Sequence, residues 1–338
     1  MLNVRNEIKI LYDIRPDNIP QRVIESEEPL ILKGFGDNWP LVKAAKRSLN
    51  EAVSYLKNME QGKTVNACYL SSKTKGRIYY NEDMSGFNFI TKPHKISDVL
   101  SALLETQHQE NPPTIYVGST SINQALPELA KQTEMAKNFP DSIYNLWLGN
   151  QSKVAAHFDF LQNLACCVVG RRRFTLFPPE QIKNLYVGPL DKAPGGQSIS
   201  MIDFDNPDFK QFPRAEDALN SAAVAELETG DAILLPSMWW HHVEGLDNVN
   251  MLLNHWWRNS PPYMGNPSDA LHHAILSIRD LPSAQKSAWK ALFDHYVFDF
   301  KNENFEHIPE QVKSILASPI NEHTARSLRS AIQNKLRR

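Results

Sequence analysis

Two short stretches carry side chains that could share one metal ion: His157-Phe158-Asp159 and, far downstream, Trp239-Trp240-His241-His242. Alternate side chains of an extended strand point to one face, so an extended His-x-Asp aims both ligands the same way and leaves a third to come from elsewhere. His241 is the expected third. Parity groups Trp239, His241, Val243 and Gly245 on the more apolar face of the second stretch, and Trp240, His242 and Glu244 on a face that carries a charge. His242 is therefore expected beside the ligands or at the surface. Two histidines and one carboxylate on one face of an octahedral ion, with the other positions open, form the ligand set of non-haem iron centres that activate oxygen. His-x-Asp alone is a weak motif, because a buried histidine is more often hydrogen-bonded than metal-bound.

An open ferrous site needs a co-substrate to supply electrons, and a keto acid in that role needs a cation for its far carboxylate. Arg172, on the strand that follows Gly170, is the candidate, whereas Arg171 and Arg173 have the opposite parity and face outward. Asn163 shares the parity of Asp159, Asn254 and Trp256 share one near the end of the last strand, and Tyr116 brings a phenol from an earlier strand. Each could line a pocket, or equally be a satisfied polar group or a core aromatic.

These residues need a scaffold, and the pattern along the chain supplies one. Pro29–Leu32 is a short strand and Ser48–Met59 a helix capped by Ser48. Thr64–Leu70 and Arg77–Tyr80 read as two strands joined across the polar turn Ser71–Gly76, followed by a helix over Ile96–Thr106 and a strand over Thr114–Gly118. Residues 121–139 read as loop and weak helix ending at Pro140. From Tyr144 the chain turns strongly β: Leu146–Leu148, the His157 strand, Ala165–Val169 and Phe174–Phe177. A long polar excursion runs from Gln181 to Ala225, and strands then resume at Asp231–Leu235, His241–Gly245 and Val249–Trp257. The excursion is either a plain surface connection, which costs little entropy, or part of the mouth of a site. Beyond Pro261-Pro262 the pattern becomes helical over Asp269–Arg279, Ser283–Tyr296, Pro309–Leu316 and Ala325–Leu336. There Ala270, Leu271, Ala274, Ile275 and Ile278 form an apolar stripe that Trp289, Leu292, Phe293 and Tyr296 continue.

Composition sets outer bounds. The 338 residues are 42% hydrophobic, enough for a substantial core, and a formal net charge of -2 gives no electrostatic argument for nucleic acid or membrane as an obligatory partner. The three cysteines, Cys68, Cys166 and Cys167, include no CxxC and suggest neither a disulfide framework nor a zinc knuckle, so a reducing, cytoplasmic setting is expected. The segment MLNVRNEIKILYDIRPDNIP lacks the apolar run of a signal peptide, and no stretch is apolar enough to span a bilayer.

The ordered set of motifs resembles the cupin-8 branch of the JmjC-type Fe(II)/2-oxoglutarate oxygenases, a group that includes asparaginyl and tRNA wybutosine hydroxylases. The carrying residues are His157-Phe158-Asp159 with Gln162-Asn163; Gly170-Arg171-Arg172-Arg173-Phe174 with Leu176-Phe177-Pro178-Pro179; and Asp203-Phe204-Asp205-Asn206-Pro207. Gly230-Asp231 with Leu235-Pro236, Trp239-Trp240-His241-His242-Val243-Glu244 and Asn254-His255-Trp256 continue the match, which begins in the segment Pro29–Pro40 and runs to about Trp257.

The resemblance implies a mainly β protein with flanking helices: a double-stranded β-helix (jelly-roll, cupin) core over residues 1–260 with an N-terminal α/β elaboration, and a C-terminal helical segment over 261–338. It implies Fe(II) held by His157, Asp159 and His241, with 2-oxoglutarate and O2 as co-substrates of a dioxygenase that hydroxylates a C–H bond. Arg172 stands where the family commonly has lysine, keeping the charge but changing reach and fork geometry. Val154 stands where some relatives place a hydroxyl, and Tyr116, Asn163, Asn254 and Trp256 match pocket positions. It further implies a homodimer formed through the C-terminal helices. A cupin enzyme that does not use 2-oxoglutarate and a non-catalytic metal- or 2-oxoglutarate-binding sensor are the rival expectations. A protein side chain, an RNA nucleoside and a small metabolite are all compatible substrates, with residues 71–94 and 183–225 expected at the mouth.

Overall fold

Short, largely buried runs rich in apolar residues produce strands through much of the chain up to Trp257. The structure, a computed structural model, describes residues 6–133, 139 and 141–337. Its described residues hold fourteen strands: β1 (Lys9–Leu11), β2 (Leu30–Leu32), β3 (Thr64–Leu70), β4 (Arg77–Ile78), β5 (Phe89–Lys95), β6 (Thr114–Ser121), β7 (Ile143–Gly149), β8 (Lys153–His157), β9 (Gln162–Val169), β10 (Arg172–Phe177), β11 (Ala223–Leu227), β12 (Ala232–Leu235), β13 (Trp240–Gly245) and β14 (Asn250–Trp257).

They form two sheets. The larger has nine strands in the order β1-β2-β12-β9-β14-β7-β6-β3-β5, and the smaller has five in the order β11-β10-β13-β8-β4. Consecutive strands β7 to β10 alternate between the two sheets, as do β11 to β14, with antiparallel pairing of β14 with β9 and of β13 with β10 and β8. This is a jelly-roll, mainly β with flanking helices.

Burial follows the layers. Between the sheets, Ile31, Ala165, Cys167, Ile233, Leu235 and Leu252 of the larger meet Phe174, Leu176, Ala225, Leu227 and Val243 of the smaller. Each large side chain so buried contributes roughly 1.5–3 kcal/mol. The outer face of the larger sheet packs against helices that include Pro40–Arg47, Leu49–Asn58 and Ile96–Thr106. Ser48 caps the second of these by accepting from the Glu51 amide at 3.1 Å.

The turn from β9 into β10 sets the phase of the arginine run. Gly170 sits at φ +74, where a Cβ would lie 2.5 Å from the Val249 carbonyl oxygen, so no other residue fits without displacing β14. Arg172 then faces inward, while Arg171 pairs with Asp247 at 2.8 Å and Arg173 with Glu226 at 2.7 Å.

Several elements depart from the sequence expectations. Arg77–Tyr80 is not the hairpin partner of β3; β4 leaves for the smaller sheet and pairs in parallel with β8. The partner of β3 is β5, whose polar sequence FITKPHK hides a strand. Pro93 fits there because β5 is a sheet edge, where a missing N–H costs no ladder bond. Residues 122–125 and 127–132 form two short helices, and the expected end of that segment at Pro140 lies outside the described residues. The excursion after Gln181 is not a bare surface loop: Leu185, Ile202, Phe204, Ala215 and Ala218 bury against Ala156, Phe177 and Trp240 on the outer face of the smaller sheet.

A second compact unit begins at Arg258. It contains the helices Pro267–Ser277, Ser283–Phe293, which runs on as a π-helical turn over Asp294–Phe298, and Glu322–Leu336. Phe305 is buried and stacks with Phe300 and Tyr296. The helix expected over Pro309–Leu316 is instead a pair of 3-10 turns, Glu310–Val312 and Ser314–Leu316.

Candidate metal centre and its cavity

His157 ends β8 and His241 is the second residue of β13, and the two stand directly opposite in the antiparallel register. Their rings are 4.3 Å apart. The His157 ring is oriented by its own strand, with Nδ1 2.9 Å from the Ala155 carbonyl oxygen, and the His241 ring by the turn just before β13, with Nδ1 2.9 Å from the Trp239 carbonyl oxygen. A carbonyl only accepts, so each Nδ1 is the donor and each Nε2 is the ring atom left to face the other ligands. A carbonyl behind each ring is the usual way of fixing a metal-ligating imidazole.

Asp159 completes the group. Its Oδ2 is 3.6 Å from His241 Nε2, and one donor atom from each of His157, Asp159 and His241 lies within 4.8 Å of the others. The expectation that His157 and Asp159 share a strand does not hold, since β8 ends at His157 and Asp159 lies in the loop before β9. That loop brings the carboxylate to the two rings without the strand pleat.

Protonation states suit a cation. Burial, with His241 adding to it, holds His157 down to about 4, so the ring is neutral at pH 7. Burial alone would raise the Asp159 carboxyl, but the two histidines and the Trp256 indole outweigh it and leave the group below its ordinary value.

The three groups open onto a cavity between the sheets, whose walls also include Tyr116, Val154, Asn163, Arg172, Asn254 and Trp256. All eight residues expected at the site therefore line one cavity. Residues 71–94 and 183–225, expected at its mouth, contribute none of its lining. The excursion covers the back of the smaller sheet instead.

Arg172 is the unusual group in this cavity. It is 3% exposed, and among the described residues it has no carboxylate partner; its Nε meets no acceptor, and Nη2 reaches only the Trp147 carbonyl at 3.5 Å. Burial pulls its pKa down from the ordinary value, with Tyr116 and Cys167 pulling the other way. A guanidinium buried without an anion costs several kcal/mol, which a bound anion would offset.

The neighbouring polar groups are also donors. The Trp147 indole N–H donates to Asn254 Oδ1 at 2.7 Å, which fixes that amide, and Asn254 Nδ2 donates to Asn163 Oδ1 at 3.0 Å. The Asn163 amide nitrogen is left as a further donor, and the buried Trp256 indole N–H stands on the Asp159 side of the cavity. Trp147 was not anticipated as a site residue. Its only signal in the sequence is parity, opposite to that of the core residues Leu146 and Leu148.

His242 is not a surface residue, because the face it shares with Trp240 is covered by the excursion; it is 7% exposed, with Phe204 at 5.3 Å.

Comparison with known proteins gives this geometry a family context. The profile of the cupin-like domain matches residues 16–263. Lysine-specific demethylase JMJ31 of Arabidopsis thaliana is 32% identical over 126 residues, covering 37% of this chain and 22% of that protein. The tRNA wybutosine-synthesizing protein 5 of Gallus gallus is 26% identical over 201 residues (58% and 56%), and lysine-specific demethylase 8 of Xenopus tropicalis is 25% identical over 239 residues (68% and 48%). The matches thus span from about a fifth to just over half the length of these relatives.

Proposed function

The chain belongs to the cupin-like family of JmjC-type oxygenases, and on that premise we propose that it is an Fe(II)- and 2-oxoglutarate-dependent dioxygenase that hydroxylates a C–H bond, most simply one on a protein side chain. The observation that carries this is the buried, unpaired guanidinium of Arg172 in the same cavity as His157, Asp159 and His241. A metal-only cupin has no need of it. A keto acid that chelates the metal and ends in a second carboxylate needs both.

The donor set fits a ferrous ion: two imidazole nitrogens, one carboxylate and an open side. When bound, the ferrous ion would supply a centre at which O2 is the oxidant and the keto acid the source of two electrons, so that one oxygen atom enters a C–H bond and the other the succinate product. The protein holds and orients. His157, Asp159 and His241 hold the metal, Arg172 offers a forked pair of charge-assisted hydrogen bonds to the far carboxylate, and Asn163 and Trp256 offer donors to the remaining oxygens. Val154, Ala165, Phe174, Val243 and Leu252 make the apolar walls that keep water out.

For the C-terminal unit we propose self-association. Leu271, Leu276, Trp289, Leu292 and Tyr296 are between 44% and 79% exposed, a surface that a second copy would cover. No helix among the described residues is long and apolar enough to cross a membrane.

Succinate formation tests the assignment. Wild-type protein should convert 2-oxoglutarate to succinate only with Fe(II) present, and His157→Ala or Asp159→Ala should abolish this while the circular dichroism spectrum is retained. Full turnover in either variant would remove the metal assignment, and metal binding with no response to 2-oxoglutarate would remove the co-substrate.

A further inference from the structure

Asp159 is the one member of the metal group that no strand holds. Phe158–Leu161 lie between the end of β8 and the start of β9, so the carboxylate needs some other fixture. The turn Pro236–Trp239, just before β13, supplies one. Its Met238 amide donates to the Asp159 carbonyl at 2.9 Å, the Ser237 hydroxyl donates to the Phe160 carbonyl at 2.7 Å, and the Ser237 amide donates to Gln162 Oε1 at 3.2 Å.

The same turn reaches the second ligand. The Trp239 carbonyl is the acceptor for His241 Nδ1 at 2.9 Å, while the Trp239 indole N–H donates to the Glu27 carbonyl at 3.1 Å and anchors the turn from its other side. Met238 sits at φ +71 and is 40% exposed, a left-handed conformation that a side chain adopts only when its surroundings impose it. The bonds on either side are what impose it.

We infer that the turn Ser237-Met238-Trp239 is a clasp that sets Asp159 and His241 relative to one another, with Ser237 and Gln162 as positioning residues for the metal. Ser237 belongs to neither the candidate ligand group nor the cavity lining; its hydroxyl holds the loop that carries Asp159, so its loss frees the carboxylate while both histidines stay on their strands. This rests on the metal assignment proposed above, and the test separates the two.

Mn(II) affinity is measured by calorimetry, without oxygen chemistry, on wild type, Ser237→Ala, Ser237→Thr and Gln162→Ala, and exchange of the Met238 amide is measured on the metal-free proteins. Support of this kind behind a ligand typically changes metal affinity by about 10–100-fold. Ser237→Ala should weaken Mn(II) binding by at least about 10-fold within that range and speed Met238 amide exchange, and Ser237→Thr, which keeps the hydroxyl, should restore both. Gln162→Ala should move both in the same direction, and it carries the test if Ser237→Ala does not fold. Unchanged Mn(II) affinity in Ser237→Ala and Gln162→Ala overturns the clasp, even if amide exchange quickens. Absence of Mn(II) binding by wild type instead overturns the metal assignment, and the clasp's role with it.

Discussion

Replacing Arg172 by methionine should move stability and binding in opposite directions. The guanidinium is 3% exposed, has no carboxylate partner among the described residues and leaves Nε without an acceptor, so the ligand-free protein carries the cost of a desolvated cation. Methionine fills much of the same space without the charge. Exchanging buried charged groups for apolar ones of similar size gains about 1–4 kcal/mol where the charges are poorly compensated. For a unit of this size that corresponds to a rise in melting temperature of roughly 2–4 °C per kcal/mol. The same change removes a forked, charge-assisted contact to the far carboxylate, and stranding a buried charge in this way costs about 3–5 kcal/mol, or roughly two to four powers of ten in Kd. Thermal denaturation without ligand and calorimetric titration of the Mn(II)-loaded protein with 2-oxoglutarate read the two effects separately. A less stable Arg172→Met protein would show that the arginine has a structural partner. Undiminished 2-oxoglutarate binding would show that it is not the clamp.

The other expectations are shorter. His157, His242 and His255 are each held down to about 4, in every case chiefly by burial, against an ordinary value of 6.5. Between those values the unfolded chain binds protons that the folded chain refuses, so stability is complete above pH 6.5 and falls as pH drops toward 4, by on the order of 1–3 kcal/mol per histidine. Melting of metal-free protein across this range checks it; His242→Gln should flatten the curve in part, and a profile flat down to pH 4.5 would contradict it. Asn254→Ala removes both the acceptor that fixes the Trp147 indole and the donor to Asn163, and should weaken 2-oxoglutarate binding about 30-fold at unchanged Mn(II) affinity, as two hydrogen bonds near 1 kcal/mol each imply. Trp289→Asp with Leu292→Asp should leave a monomer in sedimentation velocity; an unchanged dimer, or a wild-type monomer, would remove the proposed interface.

Much of the site was legible because the pleat of a strand is strict. His241 and His157 occupy inward positions of paired strands, and Arg172 is inward because Gly170 sets the phase of the run that follows. Asp159 stands beside the two histidines for a reason other than strand parity, which cannot govern a residue beyond the strand end. What does govern it, the bond from Ser237 to Phe160, spans 77 positions and leaves no local trace. β5 was hidden because an edge strand facing solvent can be polar and hold Pro93, so it carries neither apolar alternation nor a clean breaker. The excursion looked like a loop because its buried residues, Leu185, Ile202, Phe204 and Ala215, follow no period; they cover Trp240 and Phe177 one at a time. That cover also makes His242 interior, although charge on its face, at Glu244, suggested solvent.

The most direct test of the central claim is anaerobic titration of the Fe(II)-loaded protein with 2-oxoglutarate, followed by the visible charge-transfer band of a keto acid chelated to ferrous iron. Wild type should develop the band and saturate. His241→Ala should show none, and Arg172→Met should develop it only at far higher 2-oxoglutarate concentration. A wild-type protein that binds Fe(II) yet shows no band, or a band that both variants reproduce at wild-type concentrations, would contradict the assignment of His157, Asp159, His241 and Arg172 to one site.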